Sequence, residues 1–253
     1  MPRSIIYIIN PISGTKTKED VQELIEKKSR AKNISFQSYP SVASGDYSFL
    51  HPVIKEQKIT DIVIAGGDGT INQVVSSLQD CNVNFGIIPC GSGNGLAYTA
   101  KIPKQHDKAL DLIFDGKPVA IDGFHVNGQF SCMLCGLGFD AKVAHDFARQ
   151  PKRGLTTYVK QVVKNFFSAK IYSFELTAND RTFLTDAYFI SIANSNQFGN
   201  NFTIAPKASL SDGLLDIVIV NKMSKIKLIY TLLKQIWLGQ VQQTSGKKFR
   251  ESG

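Results

Sequence analysis

The sequence predicts a two-domain α/β protein: an N-terminal three-layer α/β domain over residues 1–120 and a C-terminal β-rich, sandwich-like domain over residues 121–253. Two apolar runs, Ile62–Ala65 and Phe85–Ile88, are each followed by a glycine-rich turn and a new helical pattern. Uncharged runs of this kind are typical of parallel strands that are buried on both faces. Near residue 120 the period changes, and an Asn-Gly turn joins two strand-like segments, which predicts a hairpin.

The first glycine-rich turn, Gly66-Gly67-Asp68-Gly69-Thr70, carries the most information about chemistry. Its glycines let the backbone come close to a bulky anion. Thr70 and Asn72 lie at the start of the following helix, where backbone N–H groups and the positive end of the dipole favour phosphate. Asp68 is unfavourable there unless it orients the loop or meets a cation, so a Mg²⁺-nucleotide is the expected ligand. A tight turn whose aspartate caps the helix is the alternative.

A second glycine-rich turn, Gly91-Ser92-Gly93-Asn94, follows the next predicted strand. Parallel strands end at one edge of a sheet, which is where ligands of α/β folds bind. The sequence therefore predicts that both phosphate-compatible turns lie at the same edge.

These two motifs, together with the opening Asn10-Pro11-Ile12-Ser13-Gly14, resemble the diacylglycerol kinase and sphingosine kinase superfamily, in its bacterial soluble lipid kinase branch. The resemblance implies an ATP-dependent kinase that phosphorylates the free hydroxyl of diacylglycerol or of a sphingoid-like lipid. It also implies ATP and Mg²⁺ as cofactors, and an active site in the cleft between the two domains.

The resemblance extends to individual positions. Ser41 stands where the family usually has a nucleotide-contacting threonine, and Asp140 could orient the lipid hydroxyl or serve only as a first-turn acid. A structural Mg²⁺ is expected at Asp212 with the main-chain oxygens of Ser209 and Leu214, against the alternative of a plain turn. The nucleotide-binding residues implied are Asn10, Pro11, Ser13, Gly14, Ser41, Gly66, Gly67, Asp68, Gly69, Thr70, Asn72, Gly91, Ser92, Gly93 and Asn94.

The catalytic assignment is restricted to Asp68, which we expect near the phosphates or their metal ion. Resembling enzymes carry a general base in an acidic segment beyond the last helix, and the sequence ends at Gly253 before such a segment. We therefore expect the base beyond residue 253, and expect this chain to bind nucleotide but to phosphorylate lipid poorly.

The charge pattern indicates an anionic partner, because the formal net charge is +8. From Lys222 onward, seven basic residues stand against one acidic residue. This excess suits a membrane surface rather than nucleic acid, although a solvated tail would have the same composition. A basic amphipathic helix predicted over 224–240 could lie on a membrane or pack on the sheet.

The N-terminus lacks the features of a secretory signal, and no apolar run is long enough to span a bilayer. The expected location is cytoplasmic, with peripheral contact at the inner face of the membrane, and a homodimer is left open. The four cysteines are expected to be buried, reduced thiols. Two alternatives remain: an NAD kinase, which shares the first glycine motif, and a non-catalytic nucleotide or lipid sensor.

Overall fold

The chain forms two compact units, residues 1–120 and 121–253. The structure is a computed structural model. It describes residues 3–13, 18–150, 157, 160–161, 164–165, 169–178, 181–199 and 203–221. Unit 1 is an α/β domain built on a parallel sheet and unit 2 is dominated by antiparallel strands, so the predicted fold class is confirmed.

Unit 1 alternates strands and helices around a four-stranded sheet. The elements are β1 Ser4–Ile9, α1 Lys18–Ala31, β2 Ser35–Pro40, α2 Leu50–Glu56, β3 Asp61–Gly66, α3 Asp68–Leu78, β4 Asn84–Pro89, α4 Gly95–Thr99 and α5 His106–Asp115. The strands pair in the order β2-β1-β3-β4, and all three pairings are parallel. The strand order reverses between β1 and β3, so the carboxyl ends of these two strands form the topological switch point of the sheet.

The sheet is covered on both faces because the inner strands are apolar on both sides. Ile5 and Tyr7 of β1 face a cluster that contains Ile25 of α1 and Leu110 of α5. The right-handed crossover rule assigns α2 and α3 to the other face, and each of these helices buries apolar residues, Leu50 and Ile54 in α2 and Ile71 and Val74 in α3. β3 is buried at every position, as its uncharged run Ile62–Ala65 predicts for all but the first residue, Asp61.

An ion pair joins the amino ends of the inner strands of unit 1. Arg3 donates two hydrogen bonds to Asp61, at 2.9 and 2.8 Å, and Thr60 donates a third to the same carboxylate at 2.6 Å. Burial works against the charge of Asp61, but the bonds from Arg3, Thr60 and Asn84 outweigh it and hold the pKa below its usual value. A buried carboxylate therefore fixes β1 against β3.

Unit 2 begins with the predicted hairpin. Asn127 and Gly128 both have positive φ, at 51° and 78°, as a type I′ turn requires. A long strand, β9, pairs antiparallel with β7, β8 and β10. The elements are β5 Phe124–Val126, β6 Gln129–Ser131, β7 Leu134–Gly138, α6 Phe139–Ala148, β8 Tyr172–Ala178, β9 Arg181–Ala193 and β10 Asp216–Asn221.

Two predicted boundaries differ from the structure. The sequence predicts a helix from near Asp46 to Gln57, but α2 begins at Leu50, because Asp46 accepts the backbone N–H of Ser48 at 2.9 Å and forms a turn. Residues 119–123 precede the hairpin without joining a strand. The helix predicted over 224–240 lies outside the described residues. The sequence also predicts a helix over 157–170 with one apolar face, and most of that segment lies outside them too. Among the helices that are described, none has the length and apolar character needed to cross a membrane.

We expect Asp61→Asn to lower the free energy of unfolding by about 2–3 kcal/mol at neutral pH, because Arg3 would lose its charged partner in a nearly buried site. The folded-state pKa of Asp61 is depressed, so its contribution is present above the unfolded-state pKa of about 4 and is lost as pH falls through the folded value. Urea denaturation from neutral pH to about pH 3 measures both effects.

Asp111→Asn is the matched control, because it removes the carboxylate that pairs with Lys28 at a position where the side chain is 54% exposed. This variant should change stability by less than about 1 kcal/mol. Equal losses in the two variants, or an unchanged pH slope in Asp61→Asn, would contradict the assignment.

Candidate functional site

Four loops meet at the carboxyl edge of the parallel sheet. The backbone N–H of Asn10 donates to Ala65 O, that of Ser41 to Ile9 O and that of Cys90 to Gly66 O, each at 2.9 Å. These bonds continue the strand ladders by one residue and hold the loop starts side by side. The predicted meeting of the glycine-rich turns at one edge is confirmed.

The two glycine-rich turns touch each other through their backbones. A Cβ on Gly91 would lie 2.5 Å from Gly67 Cα and 2.8 Å from Asn94 Oδ1. No real Cβ tolerates a backbone atom at that distance, so glycine is required at Gly91 for steric reasons. The contact brings the turns after β3 and β4 together at the edge.

Asn94 shapes the second turn from inside. It adopts a left-handed conformation with φ of 56°, which asparagine tolerates better than most residues. Its Oδ1 accepts the N–H of Gly91 at 2.7 Å, and its Nδ2 donates to Gly91 O at 2.9 Å. The Asn94 side chain, which was predicted to contact a nucleotide, thus closes its own turn. Ser92 and Gly93 lie half-buried between Gly91 and Asn94.

Asp68 links the two turns by hydrogen bonds. It is the first residue of α3, and its carboxylate accepts the N–H groups of Gly95 at 3.0 Å and Leu96 at 3.1 Å. Burial raises the pKa of this carboxyl, and the backbone N–H groups that surround it offset the effect only in part. Asp68 therefore orients the second turn, and a nearby cation would favour its charged form.

The opening loop is attached to the same edge by Asn10. Its Nδ2 donates to Thr70 Oγ1 at 2.7 Å, its Oδ1 accepts the N–H of Ile12 at 3.0 Å, and its carbonyl accepts Ser13 Oγ at 3.1 Å. Thr70 is only 7% exposed, so its hydroxyl serves this internal bond. Pro11 is exposed, and Gly14 lies outside the described residues.

Gly69 is different from the other glycines of the site. It is exposed in the first turn of α3, and a Cβ built on it would meet no atom within 4 Å. Open space beside the positive end of an 11-residue helix can receive a phosphate group. Asn72 lies one turn further along the same helix.

In unit 2 the loop over residues 209–214 is held by Asp122, which the sequence reasoning missed as a site residue. The N–H of Asp122 donates to Leu210 O, and its Oδ2 accepts the N–H of Gly213 at 2.8 Å. Its carbonyl accepts Asn194 Nδ2 at 2.7 Å. These partners are 72 to 91 residues away in sequence, so no local pattern could have revealed them.

The predicted metal residues lie in an exposed turn. Asp212 Oδ1 accepts the N–H of Leu214 at 3.2 Å, Gly213 has φ of 70°, and Ser209 Oγ accepts the N–H of Ser211 at 3.4 Å. The carboxylate of Asp122 therefore lies against the turn that carries Asp212. Such hard oxygen donors fit Mg²⁺. Asp140 is the second residue of α6, and its side chain is outside the described part of the chain.

The comparisons with family models divide the chain at the same region as the fold. Residues 4–126 match the model described as the diacylglycerol kinase catalytic domain. Residues 134–248 match the model described as the YegS C-terminal NAD kinase beta sandwich-like domain.

Individual relatives agree with these models. The chain is 28% identical over 231 residues to a diacylglycerol kinase of Bacillus subtilis, covering 89% of this chain and 75% of that protein. It is 32% identical over 185 residues to a Citrobacter koseri protein named "Probable lipid kinase YegS-like", covering 70% of this chain and 62% of that protein. The chain thus spans less than two thirds of the second relative.

The fold is shared with a solved structure. A crystal structure of a diacylglycerol kinase from Bacillus anthracis superposes with a TM-score of 0.70 at 20% identity, covering 92% of this chain and 78% of that one. At this identity the match shows the fold alone.

We expect Gly91→Ala to lower the free energy of unfolding by about 1–3 kcal/mol, because the new methyl group would force the two turns apart. Urea denaturation measures the change. Gly69→Ala is the matched control on the neighbouring turn: its Cβ meets no atom within 4 Å, so its stability should stay within about 1 kcal/mol of the parent. A Gly91→Ala protein as stable as Gly69→Ala would show that the turns do not touch.

Proposed function

Because the chain belongs to the diacylglycerol kinase catalytic-domain family, a family of lipid kinases, we propose that it transfers the γ-phosphoryl group of Mg²⁺-ATP to the free hydroxyl of a lipid. The substrate class proposed is diacylglycerol or a sphingoid-like lipid. The observation that carries the proposal is the open space beside Gly69, at the positive end of α3, where two glycine-rich turns touch.

Phosphate recognition is proposed to come from backbone N–H groups rather than from basic side chains. The start of α3 supplies oriented N–H groups and the positive end of a helix dipole. Gly67 and Gly91 bring two backbones together there, and Asn10 fixes the opening loop to the same edge. The nucleotide contacts proposed are the predicted ones: Asn10, Pro11, Ser13, Gly14, Ser41, Gly66, Gly67, Gly69, Thr70, Asn72, Gly91, Ser92, Gly93 and Asn94.

Asp68 is proposed to orient the second turn and to face the metal ion of the nucleotide. Its carboxylate already accepts two N–H groups, from Gly95 and Leu96. The raised pKa shows that these bonds do not offset its burial, so a nearby cation would stabilise the charge. Mg²⁺ in such a site would neutralise the charge that develops on the transferred phosphoryl group.

Unit 2 is proposed to hold the lipid, with Asp140 near its hydroxyl. A second, structural Mg²⁺ is proposed at Asp212 with the carbonyl oxygens of Ser209 and Leu214. The support for it is the set of oxygen donors and the way Asp122 holds Gly213 and Leu210 in place. The basic excess from Lys222 onward supports action at the inner, anionic face of the membrane.

Phosphorylation of NAD is the second candidate. It is favoured by one observation, the match of residues 134–248 to a domain described as NAD kinase beta sandwich-like. The match of residues 4–126 to the diacylglycerol kinase catalytic domain stands against it.

We expect Gly69→Ala to weaken Mg²⁺-ATP binding at least about tenfold, because its methyl group would occupy the space proposed for a phosphate. Isothermal titration calorimetry of the full chain measures this affinity. Ser76→Ala is the control: Ser76 is exposed on the same helix, two turns from Gly69. The nucleotide site is wrong if Gly69→Ala binds as tightly as the parent, or if the parent gives no heat with Mg²⁺-ATP.

We expect the phosphoryl transfer by this chain from labelled ATP and Mg²⁺, weak as the sequence predicts, to favour diacylglycerol or sphingosine over NAD, because residues 4–126 match the diacylglycerol kinase catalytic domain. Thin-layer separation of the products measures transfer to each acceptor. Labelling of NAD alone would replace the proposal with the second candidate. ATP binding without transfer to any acceptor would favour a non-catalytic homologue.

A further inference from the structure

A group of three potential metal ligands lies outside the proposed nucleotide site. His51 is on α2, and Asp80 and Cys81 follow the end of α3. One ligand atom from each, the histidine nitrogen, a carboxylate oxygen and the thiol sulfur, lies within 4.8 Å of the other two. The kinase proposal uses none of these residues.

The hydrogen bonds of His51 determine which ring nitrogen offers a lone pair to Asp80 and Cys81. Nδ1 lies 2.8 Å from Ser48 O, and a carbonyl can only accept, so Nδ1 carries the hydrogen. In the neutral ring Nε2 then presents a lone pair to Asp80 Oδ1 at 3.1 Å. Two acceptors that face each other at this distance need a cation between or beside them.

A proton on the ring would meet this need, and bonds to Ser48 and Asp80 do raise the pKa of His51. The sulfur of Cys81 adds a third ligand atom to this pair, and as a thiol it donates a weak hydrogen bond to the same carboxylate. Cys81 Sγ lies 4.0 Å from the same Asp80 oxygen. Nitrogen, oxygen and sulfur ligands together are the set that Zn²⁺ prefers.

We propose that His51 Nε2, Asp80 Oδ1 and Cys81 Sγ bind a zinc-class divalent ion. Zinc bonds of about 2.0–2.3 Å in a tetrahedron place neighbouring ligands about 3.3–3.7 Å apart, and the observed 3.1 and 4.0 Å lie on either side of that range. The bond from Nδ1 to Ser48 O is the outer-sphere contact that metal-binding histidines usually make.

The surroundings allow an ion to enter. The three residues line a groove of about 650 Å³ together with Lys55, Lys58 and neighbouring polar residues. Water can complete the coordination from this groove. With a carboxylate and a thiolate as ligands, a bound divalent ion is electrically neutral overall, so the two lysines do not repel the complex.

Burial and the neighbouring Asp80 raise the pKa of the Cys81 thiol, so binding must displace its proton, as metal sites with cysteine do. The bound ion would join the start of α2 to the end of α3. The nucleotide residues lie at the other end of α3, roughly 16 Å away along its 11 residues, so this inference does not rest on the kinase proposal.

Titration of the full chain with Co²⁺ tests the site, because thiolate-bound Co²⁺ gives a near-ultraviolet charge-transfer band. The parent should develop this band to saturation at one equivalent, and Zn²⁺ should remove it. Cys81→Ser should lack the band, and His51→Gln should bind Co²⁺ at least about tenfold more weakly.

Cys135→Ser is the control, because it removes a thiol of unit 2 and keeps the other three. It should retain the full band, and circular dichroism should show all three variants folded. Either the absence of a band in the parent at saturating Co²⁺, or an unchanged band in Cys81→Ser, overturns the proposal.

Discussion

The arrangement of the whole carboxyl edge depends on one interaction, the bonds from the Asp68 carboxylate to the N–H groups of Gly95 and Leu96. A buried carboxylate is costly unless it is hydrogen-bonded, so these donors must come within reach of it. They come within reach only when the turns after β3 and β4 touch. That contact in turn requires glycine, because a Cβ on Gly91 would lie 2.5 Å from Gly67 Cα.

Because the turns after β3 and β4 touch, the polar side chains at the carboxyl edge of the sheet are largely used for hydrogen bonds within the protein. Asn94 closes its own turn through Gly91, and Thr70 bonds to Asn10. The surface left for an anion is therefore mainly backbone, at the start of α3. Backbone N–H groups are fixed by the fold and need no side-chain ordering, which suits a phosphate site at a topological switch point.

The sequence predicts local features of this fold well and distant ones poorly. Three features were predictable: the buried strand Asp61–Gly66, the helix after it and the Asn127-Gly128 hairpin. Each depends on the spacing of apolar residues or on turn residues that are neighbours in the sequence. The common edge of the two turns follows from parallel pairing. The contacts of Asp122 with Gly213, and of His51 with Asp80, join residues 91 and 29 apart and leave no periodic trace. Thr70 was assigned to phosphate, yet its burial against Asn10 depends on packing that composition does not encode.

The two buried aspartates of β3 and α3 show how the ends of the sheet differ. For both Asp61 and Asp68, burial is the largest single influence on the pKa and acts to raise it, but only the pKa of Asp68 is raised overall. At Asp61 the Arg3 guanidinium, together with Thr60 and Asn84, lowers the pKa by more than burial raises it. At Asp68 the backbone N–H groups lower the pKa by less than burial raises it. A carboxyl group with a raised pKa, at the edge of a sheet where ligands of α/β folds bind, is a candidate for a functional role. A divalent ion near Asp68, as proposed with the nucleotide, would favour the charged carboxylate in the way that Arg3 does at Asp61.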